Sequence, residues 1–534
     1  MSSTGSAQAE IDAWFERWTP RGVFLGTLLA FVALRPAALL DPPYWDALLG
    51  AFPQAIWSAD HGLSPSLLLR EGGAYPKGGV SVYPFSVYPW TVALLWALHV
   101  PREVVFVAFH LVSLASAALV LACVHALARP RLGARSAAWC AVALGCWPPF
   151  QSLACQMNMD MLLAACGAAA VLALVEGRLG ASWLWTLVAL LVKPTGVILV
   201  GAQMSTSTLA LLAPRAFGFS PSARRGHGLA LGGHALLAAL FLLQLRVLQS
   251  VGKTPLGIEW FAGFAPLATS RIWYVPEFGL ATALALPLLV VALARSRGVG
   301  LAAIETASAC FVVVFIAFYG QFTILLPRYF LQAAPFLMLF LGAACTWSRV
   351  CCRRLHLILA AFALFGAVNS RGILYPAPVA NDPDPIDGRP YLASNGHLLE
   401  RSLEYRDDIE LARRVARALD RFDRDLTVFV AHWPFEQLLS EPRLGYVDRP
   451  FRTSSAEIPH RGHRGALRPV AYDAIYRRVG ERVEKSIVDD IRWVVSPNVF
   501  SGDASRYRPE LDEIVERFES GRLRAFLLHR RGWE

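Results

Sequence analysis

Long apolar runs, few of them interrupted by charge, occupy most of the chain between residues 23 and 368. They fall at 23–40, 104–128, 136–150, 158–175, 183–213, 229–248, 278–294, 301–322, 329–347 and 355–368. A helix needs about 20 apolar residues to cross a bilayer core, and a fold in water has nowhere to hide so many such runs. Of the 534 residues, 55% are hydrophobic and only 17% charged, against roughly 45–50% apolar content in soluble domains. The run at 183–213 is too long for one crossing and carries Lys193-Pro194 in its middle. It reads as two broken helices facing a protein-lined cavity, which brings the sum to about eleven crossings.

Arginine marks the cytoplasmic side of such a chain. Arg129, Arg131 and Arg135, then Arg178, then Arg215, Arg224 and Arg225, then Arg295 and Arg297, then Arg349, Arg353 and Arg354 fill every second loop. With the N-terminus (residues 1–22) inside, all of these loops face the cytoplasm, and an odd number of crossings puts the C-terminus outside. The N-terminus lacks the basic, apolar, small-residue order of a cleavable signal, so the first helix is expected to remain as an anchor. The net charge of +10 is then explained by topology and contact with anionic lipid, with no call for nucleic acid. All nine cysteines precede Arg353, so the C-terminal domain needs no disulfide, and the pairs and spacings required for a zinc site are missing.

The composition changes near Arg371, and a Pro-rich linker is expected at 371–390 between a transmembrane domain (23–370) and a soluble domain (391–534). That last part reads as a small α/β layer. Helical patterns run over 403–422, opening at Ser402, and over 509–520, with strand-like runs at 426–431, 491–495 and 523–528. His432, Trp433, Glu436, His460 and His463 lie in it without ligand spacing and read as ordinary loop and surface residues.

Chemistry is expected on the outer side. The loop at 41–103 is long, and loops of that length are usually functional. Its segment 46–63 reads as an interfacial amphipathic helix with Leu49, Phe52, Ile56 and Trp57 on one side. Tyr83, Tyr88 and Trp90 suit an aromatic belt, and 92–100 is too short to cross and dips into the membrane. Asp41 and Asp46 stand where the first helix leaves the bilayer, a place where a partly desolvated carboxylate makes a general base; Asp46 is equally a helix cap before Ala47. Asp160 opens another outward helix end in nearly apolar company, as a functional carboxylate or a cap. Lys193 lies at a helix break, ready for an anionic group, for snorkelling or for pairing with Asp160. Arg328-Tyr329 sits at an outer helix end, placed for a lipid phosphate or as an interfacial anchor.

In order and topology these features, over roughly residues 20–350, resemble the GT-C superfamily of integral-membrane glycosyltransferases, in particular its protein O-mannosyltransferase and lipid A aminoarabinose transferase branch. The segment PYWDALLGAFPQAIWSADHG is similar to the family's Asp after the first helix followed by an amphipathic helix ending in Gly, here Gly62. MNMDM supplies an Asp, LVKPTG is similar to the family's helix break, and PRYFLQAAPF to its Arg-Tyr run before a Pro. Ala47 stands where members often carry a second acidic residue, and Tyr83-Pro84 where the aminoarabinose transferases have Lys-Pro, leaving Lys77 or Arg70 as substitutes.

The resemblance implies transfer of a sugar, with inversion, from a polyprenyl-phosphate donor to a lipid, glycan or protein acceptor outside a bacterial cytoplasmic (inner) membrane. It gives Asp46 the role of base, Asp160 that of orienting acceptor or sugar, and Lys193, Arg328 and Tyr329 the donor phosphate. Asp41, Arg70, Lys77, Tyr83 and Tyr88 stand as secondary candidates. Metal dependence varies within the superfamily, so a divalent metal is compatible but not specified. The alternative from another class is a transporter or flippase of a lipid-linked sugar or small anion, which also uses broken helices with an intramembrane cation. Acceptor recognition is the role expected of the C-terminal domain.

Overall fold

The computed structural model describes residues 10, 12–45, 47–71, 84–250, 266–296, 301–322, 325–373, 388–389, 396–422, 428–431, 435–455, 493–497 and 512–530. The chain divides into two compact units. The first comprises Met1–Leu40, Val82–Thr91 and Val107–Leu374; the second comprises Asp41–Ser81, Val92–Phe106 and Tyr375–Glu534. Most of the loop at 41–103 thus packs with the C-terminal residues.

The first unit is built of apolar helices. Among the described residues five helices, Arg102–Cys146, Pro194–Leu212, Pro221–Ser250, Pro276–Arg295 and Val350–Arg371, are long and apolar enough to cross a membrane. A sixth is the pair Pro148–Ala154 and Met159–Val175, bent by 110°. Shorter apolar helices include Pro20–Leu34, Leu179–Val192, Ala303–Tyr319 and Ala334–Cys345. The 45-residue helix Arg102–Cys146 is really two, divided at Gly133, whose φ of 77° and ψ of 163° are non-helical. This is the division expected between the runs at 104–128 and 136–150, and glycine takes that backbone with no Cβ penalty. Residues 92–97 of the short segment expected at 92–100 belong to the helix Val87–Ala97, and 98–100 follow its end.

The expected break at Lys193 is present. Leu179–Val192 ends where Lys193 becomes extended (φ −154°, ψ 141°), followed by a 3-10 turn Pro194–Gly196 and the helix Val197–Leu212. Pro194 cannot continue the first helix and biases Lys193 toward extended backbone. Gly196 is required by space: a Cβ there would lie 2.6 Å from the backbone of Ala189.

The second unit carries a five-stranded mixed sheet of order β2-β1-β3-β5-β4, with β1 Val428–Ala431, β2 Arg452–Ser455, β3 Trp493–Pro497, β4 Asp512–Ser520 and β5 Leu523–Arg530. β1 pairs in parallel with β2 and β3, and β5 pairs antiparallel with β3 and β4. The α/β layer is as expected, and β1, β3 and β5 overlap the strands read from sequence. The helix Tyr405–Leu419 buries Tyr405, Ile409, Leu411, Ala412, Val415, Ala416 and Leu419 on one stripe, with Asp407 and Asp408 in the first turn, where the helix dipole favours them.

One expected helix is a strand. Residues 512–520 form β4, paired with β5 through a two-residue turn at Gly521-Arg522. Gly521 has a φ of 57°, the left-handed turn geometry that glycine supplies to hairpins. Ile514, Glu516, Phe518 and Ser520 turn inward while Glu513, Val515, Arg517 and Glu519 are exposed. That two-residue alternation outweighs the helical propensity of Glu and Arg, and the pairing with β5 carries a bulge between Ile514 and Glu516.

The segment expected to lie as a helix in the membrane interface is a π-helical turn, Ala47–Ala51, followed by the helix Phe52–Asp60. Phe52, Pro53, Gln54, Ala55, Ile56 and Ser58 are all buried by protein. Phe52 meets Trp96 and Phe106 edge-on or tilted at 5.5 and 6.1 Å. Of the apolar face that suggested lipid, Phe52 and Ile56 are buried by protein, Phe52 against side chains of its own unit.

Candidate active site

In the first unit four of the sequence-derived candidates converge. Asp160 lies in the first turn of Met159–Val175, whose cap is Asn158; the Asp160 N–H donates to Asn158 Oδ1 at 2.7 Å. The Asp160 side chain is fully buried, and both of its oxygens accept from Lys193 Nζ at 3.0 Å. Arg328, on the 3-10 turn Pro327–Gln332, brings Nε to 3.7 Å from Asp160 Oδ2. The Tyr329 ring lies 5.1 Å from Lys193 Nζ and 5.2 Å from Arg328 Cζ. Lys193 thus pairs with Asp160, one of the roles open to it from the sequence.

This cluster is positioned by interruptions in helices. Asp160 follows the 110° bend, Lys193 occupies the extended residue between two helices, and Arg328 sits on a 3-10 turn before Ala334–Cys345. Ser86 donates to the Val192 carbonyl at 2.7 Å, satisfying a group that the break would otherwise orphan. Gln332 reaches Thr195 Oγ1 at 3.4 Å across the two turns.

Sequence reasoning missed Tyr319. Its ring is stacked on Tyr329 at 5.3 Å with a 16° interplanar angle. Its position at the last residue of the apolar helix Ala303–Tyr319 was the available signal. Tyr88 lies in the same unit, buried against Phe109 at 4.7 Å.

Moving a carboxylate and cations out of water is costly, and the arrangement is stable only because the charges compensate one another. Two cations and two tyrosine rings around one carboxylate form a preorganised cationic patch. A phosphate binds such a patch through charge-assisted hydrogen bonds.

The second unit holds the other candidates. Asp41 is buried, with Arg406 Nε at 3.0 Å and Arg413 Nη1 at 3.5 Å. It is engaged in ion pairs within the second unit. Tyr44 donates to Asp408 Oδ2 at 3.0 Å. Burial pushes the Asp408 carboxyl up to about 6, against the lowering effect of the Tyr44 bond, and Asp407 nearby adds to the rise. Arg70 belongs to the helix Pro65–Glu71. Asp46, Lys77, Tyr83, His432, Trp433, His460 and His463, and the side chains of Leu49, Arg70 and Glu436, lie outside the described residues. Among the described residues no three His, Cys, Asp or Glu side chains converge in a way that would hold a metal ion.

Membrane-length helices interrupted around a buried carboxylate and cations, with an α/β unit that takes in the first long loop, define the fold of an integral membrane protein. Among solved structures the chain is similar to ArnT from Cupriavidus metallidurans bound to undecaprenyl phosphate, with a TM-score of 0.51 and 14% identity over 94% of this chain and 98% of that one. The apo state of the same protein gives a TM-score of 0.48 at 15% identity, over the same shares of the two chains. AglB, an archaeal oligosaccharyltransferase from Archaeoglobus fulgidus in complex with an inhibitory peptide and a dolichol-phosphate, gives 0.41 at 12% identity over 90% of this chain and 70% of that one. No protein-family profile matches the chain, and no curated protein sequence matches it significantly.

Proposed function

We propose that the protein is an inverting glycosyltransferase that moves a sugar from a polyprenyl-phosphate donor to an acceptor on the extracytoplasmic side of a bacterial cytoplasmic membrane. The observation that carries this reading is the buried group of Asp160, Lys193, Arg328 and Tyr329, in a fold shared with a protein solved with undecaprenyl phosphate. In this reading about eleven crossings put the N-terminus inside and the C-terminus outside, in line with the alternation of arginine-rich loops.

Asp46 takes the proton of the acceptor hydroxyl or amine, whose heteroatom attacks the anomeric carbon. The bond from that carbon to the donor phosphate breaks, and polyprenyl phosphate departs with the electron pair. Lys193 and Arg328 stabilise the charge that grows on that phosphate. Asp160, held bidentately by Lys193, fixes the ammonium in place; this positioning role is better supported by the geometry than direct contact with acceptor or sugar.

Purified protein supplied with a polyprenyl-phosphate sugar and an envelope extract should release polyprenyl phosphate in step with sugar transfer. Mass spectrometry of envelope glycans and glycolipids from a deletion strain should show the lost product. Intact donor appearing on the opposite leaflet, with no cleavage, would replace the enzyme by the flippase.

A further inference from the structure

Within the second unit, the stretch before position 46 is held almost residue by residue. Asp41 takes Arg406 and Arg413. The Pro43 carbonyl accepts from Tyr446 Oη at 3.0 Å. The Tyr44 hydroxyl donates to Asp408 at 3.0 Å, and its ring packs on Tyr405 at 5.3 Å. Trp45 is buried and has a φ of 39°, a left-handed backbone that a bulky residue keeps only when its surroundings enforce it.

Beyond position 46 the hold continues. The Ala47 N–H donates to the Tyr44 carbonyl at 3.1 Å, closing a turn. The π-helical geometry at Ala47–Ala51 is a rare form that occurs frequently at functional sites. At the end of the next helix Asp60 takes Arg443 bidentately, at 2.7 and 2.8 Å. Glu441 holds the same guanidinium at 2.9 and 3.0 Å, so Arg443 is fixed from both sides.

The tethers from Asp41, Pro43, Tyr44 and Asp60 described above run to two places, the helix Tyr405–Leu419 and the segment 441–446. Arg406 and Arg413, seven residues and about two turns apart, share one face of that helix, and Asp408 lies in its first turn. A domain that only recognised an acceptor would not need to grip this loop at its entry, its strained turn and its exit.

We propose that the C-terminal domain is the positioning element for the loop that carries Asp46, with Arg406, Asp408 and Arg443 as positioning residues acting through Asp41, Tyr44 and Asp60. The proposal rests on the reading of Asp46 as the base. A general base must be held close to its productive geometry, and a displacement of about 1 Å can lower a rate on the order of 100-fold.

The test uses the full chain in lipid nanodiscs, comparing wild type with Tyr44→Phe, Arg406→Gln and Arg406→Lys. Hydrogen exchange over residues 41–60 should accelerate about tenfold or more in Tyr44→Phe and Arg406→Gln, while exchange over β4 and β5 stays unchanged. With a polyprenyl-phosphate sugar, kcat should fall while the donor KM holds, and Arg406→Lys should recover part of kcat.

Unchanged exchange at 41–60, or changed exchange with unchanged kcat, would overturn the proposal. So would acceleration throughout the sheet, which would mark general unfolding. If the wild-type protein transfers no sugar while exchange at 41–60 still responds, the functional reading fails and the tether survives as a structural fact.

Discussion

Lys193 donates to both oxygens of Asp160 at 3.0 Å where neither side chain reaches solvent. Breaking a buried pair by removing one partner is strongly destabilising, by about 3–5 kcal/mol, while removing both together is often neutral. Asp160→Asn and Lys193→Met should each lower the melting temperature, and the double variant should regain much of the loss without regaining transfer. A double variant as active as wild type would make the pair purely structural.

Arg328 sits farther from Asp160, at 3.7 Å, with its guanidinium over Tyr329. Arg328→Ala should weaken use of the lipid donor while the protein still inserts, and Arg328→Lys should rescue poorly, since a point charge replaces a planar fork. Titration with polyprenyl phosphate checks this. Equal affinity in all three forms would leave Arg328 an interfacial anchor.

Asp46→Asn should abolish transfer while preserving expression and donor binding. Asn keeps the size and capping oxygen of Asp but takes no proton, and losing general-base assistance typically costs about 100- to 10,000-fold in rate. Asp41→Asn should be milder, and should instead loosen the loop, because Asp41 is engaged with Arg406 and Arg413. A near-normal rate for Asp46→Asn with purified protein removes the base from the mechanism.

The topology is checked by reporters active only outside the cytoplasm. One fused after Glu534 should be active and one near Arg297 silent; the reverse at either site would overturn the loop assignment.

Much of this architecture was readable in the chain because membrane helices must be apolar and continuous, and interruptions such as Lys193-Pro194 and Gly133 stand out against that background. The pairing of Lys193 with Asp160 was one of the readings the sequence left open, but the approach of Arg328 to the same carboxylate was not readable, because it depends on helix rotation that sequence does not set. The second unit was harder. Its helix Tyr405–Leu419 shows a clear stripe, but β4 is rich in Glu and Arg, with Glu516 among its inward residues. The grip of Arg406, Asp408 and Arg443 on the first loop joins residues more than 360 positions apart, and no local pattern announces it. The apolar face at 46–63 suggested lipid because side chains covering it look, from sequence, the same as a bilayer would.

Asp408 sets a pH dependence. Its carboxyl is shifted up from the usual 3.8 to about 6 by burial, so between those values the folded domain binds a proton that the unfolded chain has released. Stability should fall as pH rises from about 4 to 6 and level off above, by about 3 kcal/mol at most for this group. Asp408→Asn keeps an acceptor for Tyr44 and removes the penalty. Its stability relative to wild type should therefore improve across that window and then stay constant, as measured by denaturation of the full chain at pH 4, 5, 6 and 8. A difference independent of pH would mean that Asp408 titrates normally.

The left-handed backbone at Trp45 bears on how this protein could be recombined with its structural relatives. Such a residue stores about 1–3 kcal/mol of strain, released if the contacts that enforce it are exchanged for foreign ones. A chimera that grafts another protein's C-terminal domain after residue 374 would inherit the bent loop without its matching grip. The workable crossover points are those that move 41–81, 92–106 and 375–534 together, a cassette scattered along the gene yet continuous in the folded chain.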